Sequence, residues 1–263
     1  MIIVDSHCHV SSIWYEPVES LLHQMDANDV AHAVLVQMQG QADNSYQFDC
    51  VRKYPGRFAN VVVVDFDSRD AIVELERLAG EGAVGVRFRP PVRSPGDGPL
   101  AIWRTASRLG LTVSCIGSDD EFASPAFAEL VAALPDLRIV IEHLGSDVPV
   151  GADPPARTRA AFSLARFPNV YLKIPGLGEI CPRVMPPTSP FPFERPVTGL
   201  FQAAVAAFGP SRLMWGSDFP PVSFREGYRN ALRFPMQEFE KLAPEDRALI
   251  FGGVALSVFP IRS

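Results

Sequence analysis

Residues 2–10 read Ile2-Ile3-Val4-Asp5-Ser6-His7-Cys8-His9-Val10. The run begins aliphatic and gains an ionisable side chain at every second position toward its end. A strand alternates faces with a period of two, so Asp5, His7 and His9 share one face and Ser6 and Cys8 the other. Two imidazoles on one face of an apolar strand need partners, because burying them unpaired is costly. They are read as facing a site. Helical spacing follows at residues 18–25, then a second apolar strand at residues 33–38.

The same unit recurs to the end of the chain. Strands are predicted at residues 59–65, 84–89, 111–116, 138–143, 170–174 and 213–218. Helices are predicted at 46–54, 71–79, 100–109, 125–134, 157–167 and 197–208, with two more at 228–234 and 244–251. Eight strands, each followed by a helix, predict a single (β/α)8 TIM barrel over residues 1–263. Near-continuous apolar strands fit a parallel sheet covered on both faces. The alternative, an open doubly wound sheet, needs a Gly-rich turn after a strand, and Gly176-Leu177-Gly178 lacks the rest of that fingerprint. The stretch 182–196 holds six of the 25 prolines and is read as a semi-rigid loop, so that residues 175–196 form a lid over the barrel mouth.

Composition narrows the function. A net charge of −6 gives no footprint for nucleic acid or an anionic membrane. No apolar run approaches the ~18 residues of a membrane span. Four separated cysteines form no CxxC and no disulfide framework. A first strand starting at Ile2 leaves no room for a signal peptide, so a cytoplasmic protein is expected.

In such barrels the catalytic groups sit at the C-terminal ends of the strands. Alternation puts Ile139, Ile141 and His143 together and leaves Glu142 on the other face. It groups Met214, Gly216 and Asp218, then Gly85, Arg87 and Arg89, then Tyr171 and Lys173. Arg93 follows the fourth strand, and Arg183 and Arg195 lie in the Pro-rich loop. Guanidinium forks match carboxylates, so Arg87, Arg89, Lys173, Arg183 and Arg195 are the candidate substrate-binding residues, for a small and carboxylated substrate. Lys173 and Arg87 read equally well as members of buried ion pairs.

Three motifs, Asp5-Ser6-His7-Cys8-His9, Ile141-Glu142-His143-Leu144-Gly145 and Trp215-Gly216-Ser217-Asp218-Phe219-Pro220, resemble those of the amidohydrolase superfamily, in its amidohydrolase-2 branch. The segments Lys53–Phe58, Gly85–Phe88 and Tyr171–Ile174 are similar to the lactonase-like group, which hydrolyses sugar lactones and 2-pyrone-4,6-dicarboxylate. Pro175 and Val254 depart from that pattern, standing where serine and asparagine are common. The superfamily's binuclear centres use four His, an Asp and a bridging Lys on the fourth strand. This chain has five His, of which His23 and His32 are badly placed, and Arg87 stands at the Lys position. The family's zinc decarboxylases want a His on the fifth strand, which has none here.

The resemblance therefore implies hydrolysis of a cyclic ester, with Asp218 as general base and His143 assisting at the carbonyl. His7, His9, Asp218 and His143 form a ligand set for one divalent ion, zinc by ligand type, with metal-independent action as the alternative. Competing expectations are a mononuclear zinc decarboxylase, an amide hydrolase, or a catalytically inert ligand-binding barrel. A homo-oligomer is left open.

Overall fold

Eight short strands pair in parallel, each with the next in sequence: β1 (Ile3–Cys8), β2 (Val30–Val36), β3 (Phe58–Val62), β4 (Gly85–Phe88), β5 (Thr112–Cys115), β6 (Ile139–Ile141), β7 (Val170–Ile174) and β8 (Leu213–Trp215). The computed structural model describes residues 1–95, 98–145, 156–194 and 199–261. Helices follow the strands and cover the outside of the sheet, as in a single (β/α)8 barrel. No helix among the described residues is long and apolar enough to cross a membrane.

The last strand meets the first at the end that carries the polar residues. Cys8 bridges Phe219, the Asp218 amide donates to the His7 carbonyl at 2.9 Å, and the His9 amide donates to the Phe219 carbonyl at 2.7 Å. This seam brings His7, His9 and Asp218 side by side although they are more than two hundred residues apart in the chain.

The core has two layers. The larger lies between strands and helices and takes Cys8, Val86, Phe88, Ile139, Ile141, Leu172 and Trp215. The smaller fills the barrel, with Val4, Val34, Val36, Val61, Val140 and Met214, and the C-terminal helix Val254–Val258 packs on it. Membership of these layers shows where alternation predicts the inward face. It holds for β4, β7 and β8, where Arg87, Lys173 and Met214 point inward. It fails at β6: Val140 is inward while Ile139 and Ile141 face the helices. The strand also ends two residues earlier than expected.

It fails at β1 as well. The pairing of β1 with β2 shifts register between Asp5 and Cys8, a bulge that re-aims the following side chains. Asp5 does not join His7 and His9 in the site. Its carboxylate accepts hydrogen bonds from the Ser217 amide (2.8 Å), the Ser217 hydroxyl (2.6 Å), the Tyr228 hydroxyl (2.9 Å) and the His7 amide (3.1 Å). It staples β1 to the segment after β8.

The Pro-rich loop is pinned over its described part. Arg183 bridges Phe193, and Phe191 and Phe193 pack edge-on against Phe234. Residues 182–194 contribute no wall to the cavity described below. Its outer end, with Arg195 and Pro196, lies outside the described residues.

Candidate active site

A cavity of about 500 Å³ opens at the C-terminal ends of the strands, lined by His9, Arg87, Glu142, His143, Glu179, Asp218 and Arg225, with Trp14, Tyr15 and Met38 among its outer walls. His7 lies at its floor, 2% exposed. Gly216 makes room for it: a Cβ there would stand 2.6 Å from the His7 Cβ.

Backbone conformation aims two of these side chains. His143 and Asp218 both lie just past a strand with left-handed backbone, at φ 51° and φ 56°. Asp tolerates that region and His is enriched in it, yet each such residue is held there by its surroundings. The turn at His143 undoes the strand's alternation, so Glu142 and His143 both reach the site. Glu142, read from sequence as facing away, is its most deeply buried carboxylate.

The three histidines touch. The His7 ring centroid is 4.8 Å from that of His9 and 4.6 Å from that of His143, each pair edge to face. Asp218 Oδ1 lies 3.5 Å from His9 Nε2 and 3.8 Å from His7 Nε2. His9 Nδ1 donates to the Val36 carbonyl at 2.6 Å, which orients the ring so that Nε2 faces Asp218. Burial would raise the Asp218 carboxyl, but His9, His143 and Arg225 outweigh it and hold it below the usual carboxylate range.

His143 differs in state. Its Nδ1 lies 2.5 Å from Glu179 Oε1. Burial disfavours the cation, yet the Glu179 carboxylate prevails and lifts the imidazole to about 9. At neutral pH His143 is an imidazolium whose Nε2–H is a donor. An imidazolium has no lone pair for a metal, so His143 serves as a donor in that state and enters a ligand set only as the neutral imidazole.

Lys173 and Arg87 take the second reading the sequence allowed them, as members of a buried ion-pair network around Glu142. Lys173 Nζ is 2% exposed, 2.8 Å from His7 Nδ1 and 2.8 Å from the Ser114 hydroxyl it donates to. It lies under His7 and has no route to a substrate. Burial brings it down to about 8, with Glu142 opposing. As an ammonium it donates into Nδ1 and leaves the hydrogen on Nε2; as an amine it accepts from Nδ1 and leaves Nε2 bare. Arg87 turns its fork on Glu142, with Nη2–Oε2 at 2.7 Å and Nε 3.2 Å from both oxygens, and its Nη1 donates to the Gln37 carbonyl. Burial would raise Glu142, and Arg87 and Lys173 overcome it and hold the carboxylate ionised.

Among the described residues, Arg89 and Arg183 do not line the cavity. Arg89 pairs with Glu121 at 2.7 Å, outside the cavity, and Arg183 is exposed on the Pro-rich loop. Arg195 lies outside the described residues. Sequence reasoning did not find Glu179, on the short turn Leu177–Ile180, or Arg225, after the turn Pro221–Phe224.

Among the described residues, His7, His9 and Asp218 offer a site for a metal ion. His7 Nε2 is buried and has no hydrogen-bond partner. Ligand atoms of His7, His9 and Asp218 all lie within 4.8 Å of one another. Two further groups meet the same spacing, His7 with Glu142 and His143, and His143 with Glu179 and Asp218, but in them Glu142 is engaged by Arg87 and His143 by Glu179.

The amidohydrolase family model (Amidohydro_2) matches residues 4–261. The chain belongs to the amidohydrolase family. Among its relatives, L-fucono-1,5-lactonase of Burkholderia ambifaria is 34% identical over 246 residues, covering 88% of this chain and 81% of that protein. An amidohydrolase of Burkholderia multivorans, solved with zinc bound, superposes with a TM-score of 0.79 at 21% identity, covering 99% of this chain and 100% of that one. A protein from Acinetobacter baumannii described as a probable 2-pyrone-4,6-dicarboxylic acid hydrolase, with citric acid bound, gives 0.70 at 20% identity, covering 98% and 99%. At these identities the structural likenesses establish the barrel fold and nothing finer.

Proposed function

We propose that this amidohydrolase opens an uncharged, sugar-derived lactone by adding water to its carbonyl. The observation that carries the reading is Asp218 Oδ1 set beside the Nε2 atoms of His7 and His9, with the His143 cation across the same cavity. The sugar-lactone relative supports the reaction class.

Asp218 takes a proton from water as the oxygen attacks the carbonyl carbon. The tetrahedral oxyanion is met by the His143 Nε2–H. Collapse breaks the bond from carbonyl carbon to ring oxygen, and the proton on Asp218 passes to that oxygen, giving a hydroxy acid. His7, His9 and Asp218 are the residues that would hold a single divalent ion, zinc by ligand type. When bound, such an ion acts as a Lewis acid on the carbonyl.

Charge pairing argues against the carboxylated substrate expected from the arginines. Arg87, His143 and Arg225 face Glu142, Glu179 and Asp218, three cations against three carboxylates. Among the described residues, both guanidinium groups lining the cavity, Arg87 and Arg225, have carboxylate partners, so an incoming carboxylate gains little there. Across a lactone panel, kcat/KM is expected to be at least ~10-fold higher for polyhydroxylated 1,5-lactones than for carboxylated ones, the discrimination of about 1.4 kcal/mol. The reverse order would return the arginines to substrate binding.

Metal analysis of protein purified without added metal, then titrated with zinc, is expected to saturate at no more than one equivalent, and His9→Ala is expected to abolish that binding. Two equivalents would contradict the reading of Arg87.

A further inference from the structure

The two groups that act on the carbonyl are joined along the cavity wall by Glu179 and Arg225, which take no part in the proton transfers. Glu179 Oε1 holds His143 Nδ1 at 2.5 Å. Its second oxygen lies 3.4 Å from Arg225 Nη1, and that nitrogen donates to Asp218 Oδ2 at 3.0 Å. Each link takes the atom turned away from the reacting centre. Nδ1 is held and Nε2 left for the carbonyl; Oδ2 is held and Oδ1 left beside His7 and His9.

The links cross between the loops after β7 and β8, and these loops are themselves tied. The Gly178 amide donates to Glu226 Oε1 at 2.9 Å. A Cβ at Gly176 or Gly178 would overlap the Glu226 carboxylate, so glycine is needed for the close approach. Glu179 Oε2 and Arg225 Nε and Nη2 are buried without hydrogen-bond partners. Unsatisfied buried polar atoms cost stability, so stability alone does not account for the arrangement.

We propose that Glu179 and Arg225 act as one positioning pair that orients His143 and Asp218 toward a common substrate carbonyl. The inference rests on the lactone-opening reading for its kinetics and on geometry alone for its structural consequence.

Arg225→Met and Glu179→Gln are each expected to lower kcat by ~10–100-fold, as supporting residues behind a reacting group do, while KM changes by less than about threefold. Because they act as a unit, the double variant is expected to lose little more than the worse single variant. Arg225→Lys, which keeps the charge but not the fork, is expected to recover part of kcat. Losses that multiply, with KM rising in step and no recovery in Arg225→Lys, would overturn the pairing. A wild-type enzyme that opens no lactone would overturn the function reading instead. The geometry then has its own test, a crystal structure of Arg225→Met. Asp218 is expected to rotate so that Oδ1 leaves His9, and an unmoved Asp218 carboxylate would overturn the inference whatever the substrate.

Discussion

Asp218→Asn is expected to fold as the wild type does and to lose ~10²–10⁴-fold in kcat on any lactone the enzyme opens, the range for a missing general base. The amide keeps the size of the side chain and one oxygen, so the left-handed turn after β8 and the seam to β1 persist. It cannot take a proton from water. Loss of charge also weakens the link to Arg225, and it leaves the imidazoles of His7 and His9 without their anionic neighbour. KM is expected to change much less than kcat. Circular dichroism and thermal melting establish that the variant is folded. Wild-type turnover in a folded Asp218→Asn protein would remove Asp218 from the chemistry and leave the histidines to act with some other base.

Arg87→Met is expected to give the largest loss of stability in the site, ~3–5 kcal/mol in urea unfolding, the cost of stranding one partner of a buried ion pair. Glu142 would keep the Ser114 hydroxyl at 2.6 Å and Lys173 at 3.9 Å, but lose a two-pronged guanidinium. The effect depends on pH with a definite sign. Glu142 is depressed below the usual carboxylate range in the folded protein, so its contribution is fully present above the unfolded pKa of ~4.3 and is lost as pH falls below it. The deficit of Arg87→Met is therefore expected to be greatest at neutral pH and to shrink toward acid. Glu142→Gln combined with Arg87→Met is expected to restore part of the stability. A deficit that stays constant from neutral pH to about pH 2, well below the unfolded carboxylate pKa, would mean that Arg87 packs there and its charge does not matter.

The barrel was legible because its strands are apolar runs at regular spacing, and because alternation needs only the strand itself. It placed Arg87, Lys173 and Met214 on the inward face. It misplaced Glu142 because the inward face of β6 was read from His143, which reaches the site only by the left-handed turn after the strand, whereas Glu142 shares the face of inward Val140; it misplaced Asp5 at the register shift in β1. A period-two rule carries no information past such a point. Glu179 and Arg225 were missed for a different reason. Both stand in turns without periodicity, and what makes them matter is contact with residues distant in the chain. The arginines were visible as cations, but whether a cation serves the substrate depends on its partner. Glu142, Glu179 and Asp218 answer that question here only once the chain is folded.

The most direct test of the account is hydrolysis in H₂¹⁸O, followed by NMR and mass spectrometry of the product. A polyhydroxylated 1,5-lactone is expected to yield the ring-opened hydroxy acid with one ¹⁸O in its carboxylate and none in the new hydroxyl, as attack of water on the carbonyl carbon requires. Label in the hydroxyl, release of CO₂ or ammonia from substrates that carry those groups, or no turnover across the lactone panel would contradict it.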